Sequence, residues 1–219
     1  MGVEEAITTY IFCGGEFSGD NFVLPEKADF SIAADSGIHT ALKLGIVPDI
    51  FIGDFDSFDK SRLSESEKEI VKSIPSVTYP VKKDLTDSAI AVETALEKDT
   101  DKIYIFGALG GRLDHTLSNV FLLKYIKSRG VEAVIDNGRD AVRYIENDSV
   151  EIKKRYKYLS LLAYCGDAQG VTAEGVEYPL KDAVIRQYDP SYAVSNTIIG
   201  EKCRITVKNG GILAVESDE

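Results

Sequence analysis

Lys102-Ile103-Tyr104-Ile105-Phe106-Gly107-Ala108-Leu109-Gly110-Gly111-Arg112-Leu113-Asp114-His115 is the stretch that decides the fold. A run of β-branched and aromatic residues ends in glycines, and a helical pattern then extends from His115 to Ser128, closed by Gly130. The same order of strand, glycine or polar turn, and helix recurs upstream. Thr8 to Cys13 leads into Gly14-Gly15, and Phe30 to Ala34 leads through Asp35-Ser36-Gly37 to a helix over Ile38 to Leu44, closed by Gly45 and Pro48. Further strands are expected at Ile50 to Ile52, around Val77 to Tyr79 and at Ala133 to Ile135, with helices over Asp59 to Lys72 and Ser88 to Glu97. Strands alternating with helices are the signature of a parallel sheet with crossover helices. Gly14, Asp35, Asp54 and Gly107 then follow strand ends, where open parallel sheets place their ligands.

After Asn137-Gly138 the helical period disappears. Short strands are expected at Ala141 to Ile145, Tyr158 to Cys165, Ala183 to Gln187, Cys203 to Val207 and Ile212 to Val215, and Asn209-Gly210-Gly211 reads as a tight hairpin turn between the last two. The expected architecture is α/β, with a parallel-sheet nucleotide-binding domain over 1–138 followed by an antiparallel β-sandwich domain over 139–219. A sandwich of roughly 80 residues is marginal alone, so it is expected to lean on the first domain or on a second subunit.

Composition narrows the partners. A formal net charge of -11 repels nucleic acid and anionic membranes alike. Cys13, Cys165 and Cys203 are far apart in sequence and form no C-x-x-C pair, so they read as small apolar residues in a reducing cytoplasm. The N-terminus Met1-Gly2-Val3-Glu4-Glu5 is acidic where a signal peptide is basic, and no apolar run approaches the roughly 20 residues that span a bilayer. The expectation is a soluble cytoplasmic protein.

The chemistry is carried by acidic strings interleaved with glycine and base. In Gly53-Asp54-Phe55-Asp56-Ser57 the two aspartates are two apart on an extended segment, so their side chains point the same way and can share one hard cation; the alternative is a solvated turn. In Lys82-Lys83-Asp84-Leu85-Thr86-Asp87 the acids are three apart at a helix mouth, where either can cap free amides, while the lysines suit phosphate oxygens. Gly110 and Gly111 let the backbone approach a ligand, Arg112 can meet a phosphate, and Asp114 serves either a cation or the helix cap. His115 is expected to orient a neighbour, since no nucleophile pattern accompanies it. Asp35 can cap a helix, bind a ribose hydroxyl or hold a water. Acid for a metal together with base for phosphate indicates a nucleotide-dependent transferase.

Taken in order, Ala34-Asp35-Ser36-Gly37, Gly53-Asp54-Phe55-Asp56-Ser57, Lys83-Asp84-Leu85-Thr86-Asp87, Gly110-Gly111-Arg112-Leu113-Asp114-His115 and Ser195-Asn196 resemble the thiamine pyrophosphokinase family, whose members transfer pyrophosphate from ATP to thiamine and release AMP. The resemblance implies Mg2+ held by Asp54, Asp56 and Asp84, with Asp87 and Asp114 in the same catalytic acidic cluster. It implies ATP contacts from Asp35, Lys83, Thr86, Gly110, Gly111 and Arg112. It also implies thiamine contacts from Ser195 and Asn196 in a homodimer whose site is shared between subunits. The chain departs from the family at Ser36, where a glycine is usual, and at Thr197, where a glutamate is usual. It also lacks tryptophan, which stacks on thiamine in animal members, so Tyr188 or Tyr192 is the expected aromatic face. An acidic site suits the cationic thiazolium of thiamine. The rival readings are a pyrophosphokinase for a hydroxymethylpterin and a nucleotide-sensing module without turnover.

Overall fold

The computed structural model describes residues 6–18, 22–53, 59–77 and 85–218, so Asp54, Asp56, Lys83 and Asp84 lie outside the described residues. The chain divides into two compact units, Met1–Gly138 and Arg139–Glu219.

The first unit carries strands β1 (Thr8–Phe12), β2 (Phe30–Ala34), β3 (Ile50–Ile52), β4 (Ser76–Val77), β5 (Lys102–Phe106) and β6 (Glu132–Asp136). They lie in the order β4-β3-β2-β1-β5-β6, and every neighbouring pair is parallel. From β1 the chain builds outward to β4, then returns to the other side of β1 to start β5, so the strand order reverses between β1 and β5. All five residues of β1 are buried, which is why this strand reads as a continuous run and not as an alternation. Tyr10 and Phe12 of β1 share a face with Tyr104 and Phe106 of β5, with ring centroids 5.1 Å apart for Tyr10 and Phe106. Phe17 and Phe22, from the connection between β1 and β2, pack edge-on to Phe106 at 6.2 and 5.7 Å.

The helices are α1 (Gly37–Lys43), α2 (Glu65–Ser73), α3 (Asp87–Leu96) and α4 (Leu113–Ser128). The single helix expected over Asp59 to Lys72 is instead a 3-10 turn at Lys60–Arg62 followed by α2. Ser64 is the reason: its hydroxyl accepts the Glu67 N–H while the Glu67 carboxylate accepts the Ser64 N–H at 2.8 Å, a capping box that starts a new helix.

The second unit carries β7 (Asp140–Glu146), β8 (Ser149–Lys153), β9 (Tyr158–Ala163), β10 (Ala168–Glu174), β11 (Leu180–Ile185), β12 (Lys202–Thr206) and β13 (Gly211–Ser217). β13 pairs antiparallel with β7 and β9, while the other four form an antiparallel sheet ordered β11-β10-β12-β8. Ile145, Leu161 and Ile212 from the first set meet Ile152, Val171 and Ile205 from the second in one buried cluster, so this unit is a sandwich. β8 and β10 were not foreseen from sequence. β8 is mostly polar apart from Val150 and Ile152, and β10 carries Gly170 at φ +64° and register shifts against β11. The hairpin expected at Asn209-Gly210-Gly211 is overturned, because β12 and β13 belong to different sheets and the turn carries the chain across the core. Gly210 at φ +88° makes that crossing, its N–H held by Asn147 Oδ1 at 3.0 Å. Among the described residues no helix is long and apolar enough to cross a membrane.

Candidate active site

A cavity of about 370 Å³ opens at the carboxyl ends of β1, β2 and β5, over the reversal between β1 and β5. Such a reversal splays the connections leaving the two strands in opposite directions and leaves a crevice between them. After β1, Cys13, Gly14 and Gly15 form one wall; after β5, Gly107, Ala108, Gly110, Gly111 and Arg112 form the facing one. The two are stitched by Cys13 N–H to Phe106 O at 2.8 Å and Gly15 N–H to Gly107 O at 2.7 Å. That approach leaves no room for side chains: a Cβ on Gly15 would stand 2.5 Å from the Gly107 carbonyl oxygen.

Of the residues expected at the site, Asp35, Thr86, Asp87, Gly110, Gly111 and Arg112 all line this cavity. Asp35 does not cap α1, whose N-cap is Ser36 with no side-chain bond. Its backbone is left-handed at φ 50°, a conformation that aspartate tolerates better than most residues. Ser36, where the family usually has glycine, fits because Gly14 lacks a side chain: a Cβ there would lie 2.0 Å from the Ser36 hydroxyl. The cap of α3 is Thr86, whose hydroxyl accepts the Ala89 N–H at 3.3 Å, and Asp87 stands in the first turn. Gly110 and Gly111 have φ of +82° and +66°, and Thr116 holds the Gly110 carbonyl at 3.1 Å.

Arg112 and Asp114 are found on each other. Arg112 Nε donates to Asp114 Oδ1 at 3.1 Å and Nη2 to Oδ2 at 2.5 Å. These hydrogen bonds from the guanidinium hold the Asp114 carboxyl below its usual range. Both side chains are exposed, Asp114 is not in the cavity wall, and the N-cap position of α4 is Arg112.

Asn119 and Ser88 were missed by the sequence reading. Asn119, buried on α4, donates to the Ala108 carbonyl at 2.8 Å and accepts the Ser88 hydroxyl at 2.8 Å, tying α3 and α4 to the turn after β5. Its one local signal is that it stands four residues after His115, which also lines the cavity, and so shares a helix face with it. Burial, reinforced by the charge of Asp87, pushes the Cys13 thiol up to about 12, so Cys13 stays protonated and the donors this wall offers are oxygen and backbone nitrogen. Among the described residues no group of three or more His, Cys, Asp or Glu side chains could hold a metal.

In the second unit Ser195 is left-handed at φ 57°, and its N–H donates to Ser160 Oγ at 3.0 Å. Asn196 pairs through its backbone with Leu159, and its side chain accepts the Tyr178 N–H at 3.0 Å while donating to the Tyr178 carbonyl at 2.8 Å. A third bond, from the Thr197 N–H at 2.8 Å, completes the clamp. The residue so held is Tyr178, with 66% of its surface exposed; Tyr188 and Tyr192 are exposed too, without such a clamp among the hydrogen bonds of Asn196.

Two family models match in tandem: the thiamin pyrophosphokinase catalytic domain over residues 23–135 and the thiamin pyrophosphokinase vitamin B1 binding domain over residues 148–212. The thiamine pyrophosphokinase of Bacillus subtilis (strain 168) is 31% identical over 191 residues, covering 86% of this chain and 87% of that protein. The crystal structure of a Bacillus subtilis thiamine pyrophosphokinase superposes with a TM-score of 0.83 at 27% identity, over 97% of this chain and 99% of that one. A thiamin pyrophosphokinase from Geobacillus thermodenitrificans gives a TM-score of 0.79 at 26% identity, over 97% and 98% of the two chains.

Proposed function

The chain belongs to the thiamin pyrophosphokinase family, and from that premise we propose that it transfers the pyrophosphoryl group of ATP to the hydroxyl of thiamine, yielding thiamine diphosphate and AMP, in the crevice between β1 and β5. The observation that carries this reading is that one cavity, at the strand-order reversal, brings together a glycine backbone, Arg112 and the carboxylates Asp35 and Asp87.

The chemistry needs phosphate donors, a cation and an acceptor held in line. Gly110, Gly111, Arg112, Thr86 and Lys83 face the triphosphate, and α4 adds the positive end of its dipole. Asp35 accepts from the ribose hydroxyl. Oxygen donors without a thiolate are the set that Mg2+ takes; Asp54, Asp56 and Asp84 would hold it, and when bound it offsets the charge on the phosphate oxygens. Asp84 or Asp87 accepts the proton of the thiamine hydroxyl, and Asp114 positions Arg112. Ser195 and Asn196 serve thiamine, and Tyr178, whose backbone Asn196 holds, joins Tyr188 and Tyr192 as an aromatic face for its ring. The match of the second unit to a vitamin B1 binding model favours thiamine over a pterin.

We assign the chain to a two-fold homodimer in the cytoplasm. Exposed Tyr178 and Ile199 on a small sandwich support an interface there, and three free thiols suit a reducing compartment. Incubation with ATP, Mg2+ and thiamine should produce AMP and thiamine diphosphate in equal amounts, and chelation should stop turnover without unfolding the chain. Release of ADP with thiamine monophosphate would defeat the assignment.

A further inference from the structure

Gly111 already has an anion on it. Its N–H donates to a carboxylate oxygen of Glu16 at 3.3 Å, across 95 residues of sequence. The Glu16 backbone is bridged to the turn after β5, its N–H on the Leu109 carbonyl at 3.0 Å, so the side chain is delivered to the glycine pair from the segment that follows β1. Gly110 makes the space it occupies: a Cβ there would lie 2.7 to 2.8 Å from Cβ, Cγ and Cδ of Glu16. The missing side chain at Gly110 is therefore filled by Glu16, and the long amide-to-carboxylate bond is one a better acceptor can replace.

We propose that Glu16 is a specificity-determining residue for the nucleotide: its carboxylate holds the Gly111 N–H in the free protein, must yield it to a phosphate oxygen, and by its charge disfavours metal-free ATP relative to the metal-bound form. This rests on the reading of the glycine pair as a phosphate seat. A carboxylate beside a triphosphate is repulsive, and a divalent cation on the phosphates offsets much of that repulsion. Glu16 is exposed, so solvent screening keeps the effect modest.

The full-length protein, without thiamine, is titrated calorimetrically with ATP in chelator and with ATP in excess Mg2+, as wild type, Glu16→Gln and Glu16→Ala. The Gly111 amide is followed by 15N NMR in parallel. Both variants should bind metal-free ATP about threefold or more tighter, gain less in Mg2+, and shift the Gly111 amide before any nucleotide is added. If Glu16→Ala weakens binding while Glu16→Gln does not, Glu16 is a strut for the loop and the proposal fails. Unchanged affinity in both variants, with the Gly111 amide still responding to ATP, also overturns it and leaves the phosphate seat standing. ATP that binds without moving the Gly111 amide in any variant removes the phosphate seat itself, and the proposal with it.

Discussion

Asn119 uses both ends of its amide on groups from two other elements, and at 8% exposure its buried bond to the Ala108 carbonyl is not replaced by water at low cost. Replacing it with alanine strips the Ala108 carbonyl of its Asn119 donor and leaves the Ser88 hydroxyl to its bond with Thr86 Oγ1 at 3.0 Å, so Asn119→Ala should lower stability by about 1 to 3 kcal/mol. Because those two groups line the cavity, KM for ATP should rise more than kcat falls. Denaturant titration and steady-state kinetics read both effects, and a variant unchanged in midpoint and in KM would show that the bonds carry no weight. Asp56→Asn keeps shape and removes one negative charge from the proposed cation site, so turnover should fall at least about tenfold, equivalent to ~1.4 kcal/mol of barrier. Lys72→Ala is the control: that side chain lies on the exposed face of α2, paired with Glu69 at 2.6 Å, and its loss should change little. Equal activity of Asp56→Asn and Lys72→Ala across a magnesium series would return Asp56 to an ordinary turn.

At the scale of elements, caps decide where helices begin. The Ser64 and Glu67 capping box separates α2 from the 3-10 turn before it, and Ser64→Ala should cost about 1 kcal/mol. The hydrogen bonds from Ser64 hold the Glu67 carboxyl below its ordinary value of 4.5. A depressed carboxylate stabilises the fold above the unfolded value and loses that contribution as pH falls through the folded one. The stability gap between wild type and Ser64→Ala should therefore be full at neutral pH and narrow below about pH 4.5; a gap constant from pH 7 to pH 3 would place the effect outside the capping box. The packing of α1 is decided by one hydrogen atom. A Cβ on Gly37 would sit 2.0 Å from the Phe12 carbonyl oxygen, so Gly37→Ala must push α1 off β1. It should destabilise the first unit by about 1 to 3 kcal/mol, and a crystal structure of an equally stable variant with α1 in place would refute this.

The whole molecule is two units with different ways of burying surface: a parallel sheet with helices, and a sandwich whose two sheets share one core. In the proposed homodimer, Ser195 and Asn196 of one chain complete the thiamine pocket beside the aspartates of the other. Mixing an inactive Asp54→Asn chain with an inactive Asn196→Ala chain and allowing exchange should then restore part of the activity, since one site in each mixed dimer carries neither lesion. Confirmed exchange without recovery, or an active monomer in sedimentation, would mean that each chain builds its own pocket.

Local pattern alone determined β1, β2, β3, β5 and β6 and the positions of α1, α3 and α4, because burial on both faces of a parallel strand and on one face of a helix imposes periods that neighbouring residues carry by themselves; of the strand expected around Val77 to Tyr79, Tyr79 lies outside the described residues. It also determined which strand ends bear glycine and acid, and the order of those strings carried the family. Tertiary structure decided the rest. β8 and β10 are too polar or too irregular to announce themselves, and acquire their character from the strands they pair with. The glycine turn before β13 looks like a hairpin locally, but a turn does not choose which strand its flanks will join. Asp114 on Arg112 is a contact two residues long that competes with a cation and a cap for the same carboxylate. Glu16 on Gly111 and Asn196 on Tyr178 join residues 95 and 18 positions apart, respectively, and no period relates such pairs. They exist because the fold brings two backbones close enough that one side chain satisfies the polar groups of the other.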